Sequence, residues 1–287
     1  MKLGVSSYSF YSALQSGEMT IVDAIHWIKA NNGEHIEIVP IGFTLDDNDS
    51  LIADIVKHTK EVGIEISNYA VEANFVDKNE RQFQDELENL KRQVDIANRL
   101  GVKRMRHDVA SRPRNNTSII QFERDLPIIV EVCKEIADYA AEYGIITSIE
   151  NHGYHVQHAD RVNKIVHLVD RDNFRTTLDV GNFLCVDEDP LSSVIRNLSI
   201  ASMVHVKDFY IRPFSHNPGD GFFQTTTGNY LRGAIVGHGD VDIPGIVKVM
   251  QSSGYDGHIS LEFEGMEECK NAIKIGLDNI RRIWNGK

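Results

Sequence analysis

Four residues in the second half of the chain have the types and spacing that metal chemistry requires. Glu150 ends the run Thr147-Ser148-Ile149-Glu150, Asp179 ends Thr177-Leu178-Asp179, His205 lies within Val204-His205-Val206-Lys207, and Glu262 ends Ile259-Ser260-Leu261-Glu262. Each run is short, rich in apolar or β-branched residues, and carries a polar side chain where a strand would reach an active-site mouth. Three carboxylates gathered at one buried point repel each other and lose hydration, and a dication between them removes both penalties. Three oxygen donors with one imidazole suit Mn(II), Mg(II) or Co(II), with Zn(II) admissible, whereas a structural zinc site prefers thiolates. Without an ion, all three carboxylate pKa values are expected to rise.

Such convergence needs consecutive strands pointing the same way. Short β-rich runs alternate with longer helical patterns along the whole chain, which is the signature of βα units around a parallel sheet. Strands are predicted near 3–8, 35–39, 64–68, 104–108, 145–150, 175–179, 203–207 and 258–262. Helices are predicted over 20–30, 50–61, 80–100, 122–142, 159–169, 190–197, 243–252 and 267–284. Gly33, Gly63, Gly101, Gly144 and Gly254 stand where helix ends call for a left-handed residue. Eight such units in 287 residues predict an α/β protein, a single (β/α)8 TIM barrel over 1–287. An open doubly wound sheet is the rival, and no GxGxxG follows the first strand to support it. One long irregular stretch, about 209–239, is glycine-rich and aromatic. It follows the seventh strand on the active-site face and is expected to be a loop that closes over substrate.

Acidic residues outnumber basic ones by 42 to 30, giving a formal net charge of −12, which repels nucleic-acid backbones and anionic membranes alike. No apolar run approaches the ~18 residues of a membrane-spanning helix. The start, Met1-Lys2-Leu3-Gly4-Val5-Ser6, lacks the apolar core of an export signal. Cys133, Cys185 and Cys269 are odd in number and widely spaced, which argues against a disulfide framework. A cytoplasmic protein is expected, with no nucleic-acid or membrane partner; a homo-oligomer stays open.

Other polar residues near strand ends are candidate substrate contacts. His107 and Asp108 close the fourth strand and serve either substrate or a structural ion pair. His152 follows Glu150 by two. Lys207 shares a strand face with His205 and either holds an oxyanion or neutralises a carboxylate. Lys207, Arg106, Arg212 and Arg232 are the candidate holders of a phosphate, though no glycine-rich phosphate cradle is present. Tyr8, Phe10, Phe183 and Phe209 could stack on a sugar face or simply fill the core.

The segments Ile-Glu-Asn-His-Gly at 149–153, Leu-Asp-Val-Gly-Asn-Phe at 178–183, His-Val-Lys-Asp at 205–208, Gly-His-Gly-Asp-Val-Asp-Ile at 237–243 and the run 254–265 resemble the xylose-isomerase-like superfamily. Within it they are most similar to the sugar phosphate isomerase/epimerase family, which includes D-tagatose 3-epimerase-type enzymes. The resemblance implies that Glu150, Asp179, His205 and Glu262 are metal ligands and that Glu150 and Glu262 double as the acid/base pair. Glu264 would share a strand face with Glu262; the resemblance favours Glu262, which falls where the family's glutamate ends the strand. The expected activity is metal-dependent isomerisation or epimerisation of a ketose or related sugar or polyol. The alternatives are dehydration of a keto-inositol or dehydroshikimate-like substrate, and a carbohydrate-binding barrel without turnover. Asn182, beside the Asp179 motif, and the acidic balance depart from the related apurinic endonucleases.

Overall fold

A computed structural model describes residues 1–286; of the expected domain 1–287, Lys287 lies outside the described residues. Eight parallel strands close into a barrel: β1 (Lys2–Ser6), β2 (His35–Ile38), β3 (Glu65–Val71), β4 (Arg104–His107), β5 (Ile146–Glu150), β6 (Phe174–Asp179), β7 (Ala201–Val206) and, last in the chain, β11 (His258–Leu261), which pairs with both β7 and β1. Outside them run the helices α2 (Ile21–Ala30), α3 (Asp49–Val62), α4 (Glu80–Leu100), α5 (Ile119–Ala141), α6 (Ala159–Val169), α7 (Pro190–Asn197), α8 (Ile243–Ser252) and α9 (Cys269–Trp284), while the short α1 (Tyr11–Gln15) follows β1. No described helix is long and apolar enough to cross a membrane.

Strand alternation divides the barrel into two environments. Ile36 and Ile38 face the helices and are fully buried, while His35 before them and Glu37 between them turn into the barrel. Helix starts are fixed by side chains: Thr20 with Asp23, and Asn79 with Gln82, form capping boxes. Helix ends follow the expected glycines at Gly63, Gly101, Gly144 and Gly254, all with positive φ. At Gly33 the expectation fails, since Asn32 takes the left-handed turn (φ 61°). Gly33 is instead required for space, because a Cβ there would strike Ile28.

The stretch expected as an irregular loop is a second, small sheet. β8 (Asp208–Arg212), β9 (Phe223–Gln224) and β10 (Tyr230–Ala234) pair antiparallel in the order β8-β10-β9. Phe209, Leu231 and Cys185 form its own buried cluster. The sheet is tied down along its length. Asp187 accepts hydrogen bonds from Thr226 Oγ1, Thr227 N and Asn229 Nδ2, each at 2.9 Å. Arg114 donates to the Thr225 carbonyl (2.7 Å), and Tyr154 donates to that of Gln224 (3.0 Å). These bonds tie the sheet to the segments that follow β4, β5 and β6.

At the closed end of the barrel, Gly4 makes room for His35. A Cβ on Gly4 would run into the carbonyl and ring of His35, whose imidazole packs on His258 with ring centroids 4.8 Å apart. Burial pushes the His35 pKa down to about 3, so it is neutral there. Gly4→Ala should therefore destabilise the barrel by about 1–3 kcal/mol, the usual cost of overpacking a tight core. Urea unfolding checks this; an unchanged midpoint would show that the interior yields freely.

Candidate metal centre

Glu150, Asp179, His205 and Glu262 meet at the open end of the barrel, each buried, with one ligand atom apiece all within 4.8 Å of one another. His205 Nδ1 lies 3.4 Å from Glu150, 4.0 Å from Asp179 and 3.7 Å from Glu262. Two of these atoms, Asp179 Oδ2 and His205 Nδ1, are buried without any hydrogen-bond partner. Buried polar atoms without partners are costly, and these two face the same point. The donor set and the two orphaned atoms fit a divalent ion at that point.

Local chemistry holds each side chain in place. Asp179 Oδ1 accepts from the backbone N–H groups of Gly181 (2.8 Å) and Asn182 (2.7 Å), which leaves Oδ2 free to face the cluster. Gly181 is needed because a Cβ there would sit 2.9 Å from the Lys207 carbonyl oxygen. Asn182 then bridges the site: its amide donates to Glu150 (3.2 Å) and its carbonyl oxygen accepts from Lys207 (3.3 Å). Asn151 pairs with the Asp179 backbone in both directions and locks β5 to β6.

Glu37, on the far side of the barrel, orients His205. Its carboxylate lies 2.8 Å from His205 Nε2 and accepts a further hydrogen bond from Asn68 (2.7 Å). A proton held on Nε2 leaves the Nδ1 lone pair directed at the cluster, the arrangement by which an outer carboxylate fixes a metal-binding imidazole. Glu37 was not among the residues singled out from sequence. Its one signal is an acid placed between two isoleucines of a barrel strand.

The electrostatics of the three carboxylates differ from the uniform rise expected. Burial would raise the Glu150 pKa, but the Arg106 guanidinium, 2.6 Å away, and the neighbouring His205 together hold it well below its usual range. Glu262 is lowered in the same way by the Lys207 ammonium at 2.7 Å. For Asp179 the nearest cation, Lys207, stands 3.6 Å from Oδ2; burial together with the charges of Glu150 and Glu262 outweighs it and pushes the pKa up to about 7. Burial alone would lower the His205 pKa, but Glu37, Glu262 and Glu150 hold it well above normal.

The remaining candidates separate clearly. A cavity of about 400 Å³ opens on the cluster and is lined by Asp108, His152, Lys207, Tyr8 and Glu264 among others. Asp108 pairs with Arg106 (3.4 Å) and with the half-exposed His152 (3.6 Å). Lys207 neutralises carboxylates, since Glu264 lies 3.3 Å from its Nζ in addition to Glu262. Glu264 is therefore one step out from the cluster and Glu262 within it. His107 is not in the cavity: strand alternation turns it outward, where its Nδ1 meets the Asp108 carbonyl (2.9 Å) and its ring packs near Phe174. Arg106, one residue earlier, takes the inward place. Arg232 is outside as well, held near the rings of Tyr210 and Phe222 and by Glu267 at 3.4 Å. Arg212 pairs with Asp240 (3.3 Å) at the surface. Phe10, Phe183 and Phe209 are fully buried core residues.

With this geometry in view, the chain belongs to the xylose isomerase-like TIM barrel family, which it matches over residues 25–283. An inosose dehydratase of Clostridium perfringens is 25% identical over 160 residues, 54% of this chain and 52% of the relative. The chain thus spans about half the length of the curated relatives it matches. Among solved structures, the 3-keto-D-glucoside 4-epimerase of E. coli superposes with a TM-score of 0.73 at 15% identity, covering 98% of this chain and 99% of its own. A xylose isomerase-like TIM barrel protein of Mycobacterium smegmatis, in complex with magnesium, does so with 0.74 at 16% identity, covering 99% and 97%. At these identities the structural likeness establishes the fold.

Two outcomes follow from the arrangement. Glu37→Gln should leave the fold intact but weaken Mn(II) binding by about 10- to 100-fold, the usual effect of losing the group that orients a ligand histidine; calorimetric titration measures it, and unchanged affinity would remove Glu37 from the account. In metal-stripped protein, Asp179 keeps a proton in the folded chain that the unfolded chain has already released. Stability should therefore fall as pH rises from near its ordinary 3.8 towards about 7. Denaturant titrations between pH 5 and 8 in the presence of chelator test this, with Asp179→Asn expected to flatten the dependence.

Proposed function

We propose that the chain is a divalent-metal-dependent isomerase or epimerase acting on a ketose or related sugar or polyol, with Glu150, Asp179, His205 and Glu262 as ligands and Glu150 and Glu262 as the acid/base pair. One observation supports this most. Two buried glutamates from β5 and the end of β11 flank His205 on the cavity floor, and each is kept ionised by its own cation, Arg106 for Glu150 and Lys207 for Glu262. A pair of ionisable carboxylates at one site is what a two-sided proton transfer requires.

When bound, Mn(II), Co(II) or Mg(II), with Zn(II) as a further candidate, supplies an electrophile that spreads the negative charge of an enediolate. One glutamate takes the proton from the carbon beside the carbonyl. The other, which must have taken up a proton before this step, gives that proton to the opposite face in an epimerisation or to the neighbouring carbon in an isomerisation, and returns to its ionised form. The roles exchange in the reverse direction, so both must be able to gain and lose a proton. Asp108 and His152, on the cavity wall, are placed to hold substrate hydroxyls.

The likeness to an inosose dehydratase favours a second reading. Its first step is the same proton removal, after which the second glutamate delivers a proton to a β-hydroxyl that leaves as water. A keto-inositol or a dehydroshikimate-like ketone would then be the substrate. A binding barrel would show neither reaction.

Incubation of the Mn(II)-loaded protein with ketoses and keto-inositols in D2O, followed by NMR, separates the three. Deuterium entering an epimeric or isomeric product is expected, an unsaturated product would establish the dehydratase, and no change in any ketone would defeat both. Glu150→Gln and Glu262→Gln should each lose about 10²-fold or more in kcat at saturating metal, the scale of a missing general acid or base. Glu264→Gln should be mild, and if it silences the enzyme while Glu262→Gln is tolerated, the roles of these two residues are exchanged.

A further inference from the structure

The cavity does not end at the cluster. From Arg106 its lining continues over the end of β3 at Ala70 and Val71, along Val39, Pro40 and Ile41 of the loop after β2, and out to Asp46, Asn89 and Gln93. Asn89 and Gln93 belong to α4, in the helical layer, so this arm of the cavity crosses the rim of the barrel. Its two ends differ in chemistry. The cluster contributes Glu150, Glu262 and His205 to the lining, whereas the residues from the β2 loop and the end of β3 are largely apolar and Gln93 and Asp46 beyond them are already hydrogen-bonded. There the Tyr69 hydroxyl donates to Gln93 (2.6 Å), and the Gln93 amide donates to Asp46 (2.8 Å). A single sugar ring seated against Glu150 and Glu262 leaves this arm unfilled, although the whole cavity, about 400 Å³, falls in the range of pockets that enclose larger ligands.

The charges of the lining limit what fills it. Asp46, Glu72, Asp108, Glu150, Glu262 and Glu264 face the cavity against Arg106, Lys207 and His152. Among the described residues, each of those three cations is engaged by a carboxylate: Arg106 by Glu150 and Asp108, Lys207 by Glu262 and Glu264, and His152 by Asp108. The arginines Arg212 and Arg232 lie elsewhere. A phosphate entering the cavity would find each of these three cationic side chains already paired with a carboxylate.

From this shape and charge we infer that the substrate is an uncharged molecule of two units: a polyhydroxylated ketone at the cluster, carrying a second neutral unit that lies against Val39, Pro40 and Ile41 and reaches α4. The inference rests on the function proposed above and adds the substrate class. The second unit is a further sugar ring or an apolar group, since an apolar wall with hydroxyl-tolerant amides beyond it accepts either. Binding it distant from the reacting carbon adds binding energy that is available in the transition state.

The test uses the Mn(II)-loaded enzyme and measures exchange of the α-proton with D2O. The panel is a cyclic keto-sugar, its phenyl glycoside, the corresponding disaccharide and its phosphate ester. The phenyl glycoside or the disaccharide should exceed the free ring in kcat/KM by about 10-fold or more, with the phosphate ester slowest of all. Ile41→Trp, which fills the arm from a partly exposed loop position, and Asn89→Trp, which fills it from α4, should each erase that advantage while reducing exchange from the free ring far less. Equal rates on free and substituted rings overturn the two-unit substrate, as does preference for the phosphate ester. Absence of exchange from every ketone overturns the proposed function itself, and this inference with it.

Discussion

The structure depends on one electrostatic constraint: three carboxylates and the acid Glu37 are buried together at the mouth of a barrel whose walls exclude water. Burying an ionised carboxylate without compensation is prohibitive, so each must be answered locally. Arg106 answers Glu150, Lys207 answers Glu262, and the His205 ring answers Glu37. Asp179 receives two backbone N–H groups on one oxygen, while the other faces Lys207 at the longer distance of 3.6 Å. Asp179 is thus the least compensated of the three carboxylates, the one pushed upward while the other two are lowered.

This compensation ties the site to the barrel's architecture. The answering groups come from β2, β4, β7 and the turn after β6, so no single loop carries the centre. Asn182 links Glu150 to Lys207, and Glu37 reaches across the barrel to set the direction of His205. A geometry spread over so many strands is held as rigidly as the sheet itself, which is what transition-state charge stabilisation requires. The small antiparallel sheet is joined to the same framework by its bonds to Asp187, Arg114 and Tyr154. The expense of strain and repulsion is concentrated where the chemistry is done.

Much of this was legible in the sequence, and the failures have physical reasons. Barrel strands are buried on both faces, so their apolar runs and closing polar residues stand out, and Glu150, Asp179, His205 and Glu262 were found from them. His107, left open between substrate contact and structural pairing, lies on the strand face turned away from the cavity, since neighbouring side chains alternate and Arg106 takes the inward place. Glu37 was missed since its partner, His205, is 168 residues away, and nothing local marks the pair. The sheet formed by 208–234 was read as a loop because its strands are short and glycine-punctuated, and its register comes from pairing, which a single sequence does not display. Arg232, a candidate phosphate holder from its charge, lies instead over the Tyr210 ring of the small sheet, a pairing between separate strands that the sequence does not display.

The central claim is that one divalent ion sits between these four side chains and satisfies Asp179 Oδ2 and His205 Nδ1. Anomalous diffraction from a crystal of the protein soaked in Mn(II) tests it most directly. A single strong anomalous peak is expected within bonding distance of Glu150, Asp179, Glu262 and the Nδ1 atom of His205, with Nε2 still on Glu37. A peak at another site, or a histidine turned to present Nε2 to the metal, would contradict the account.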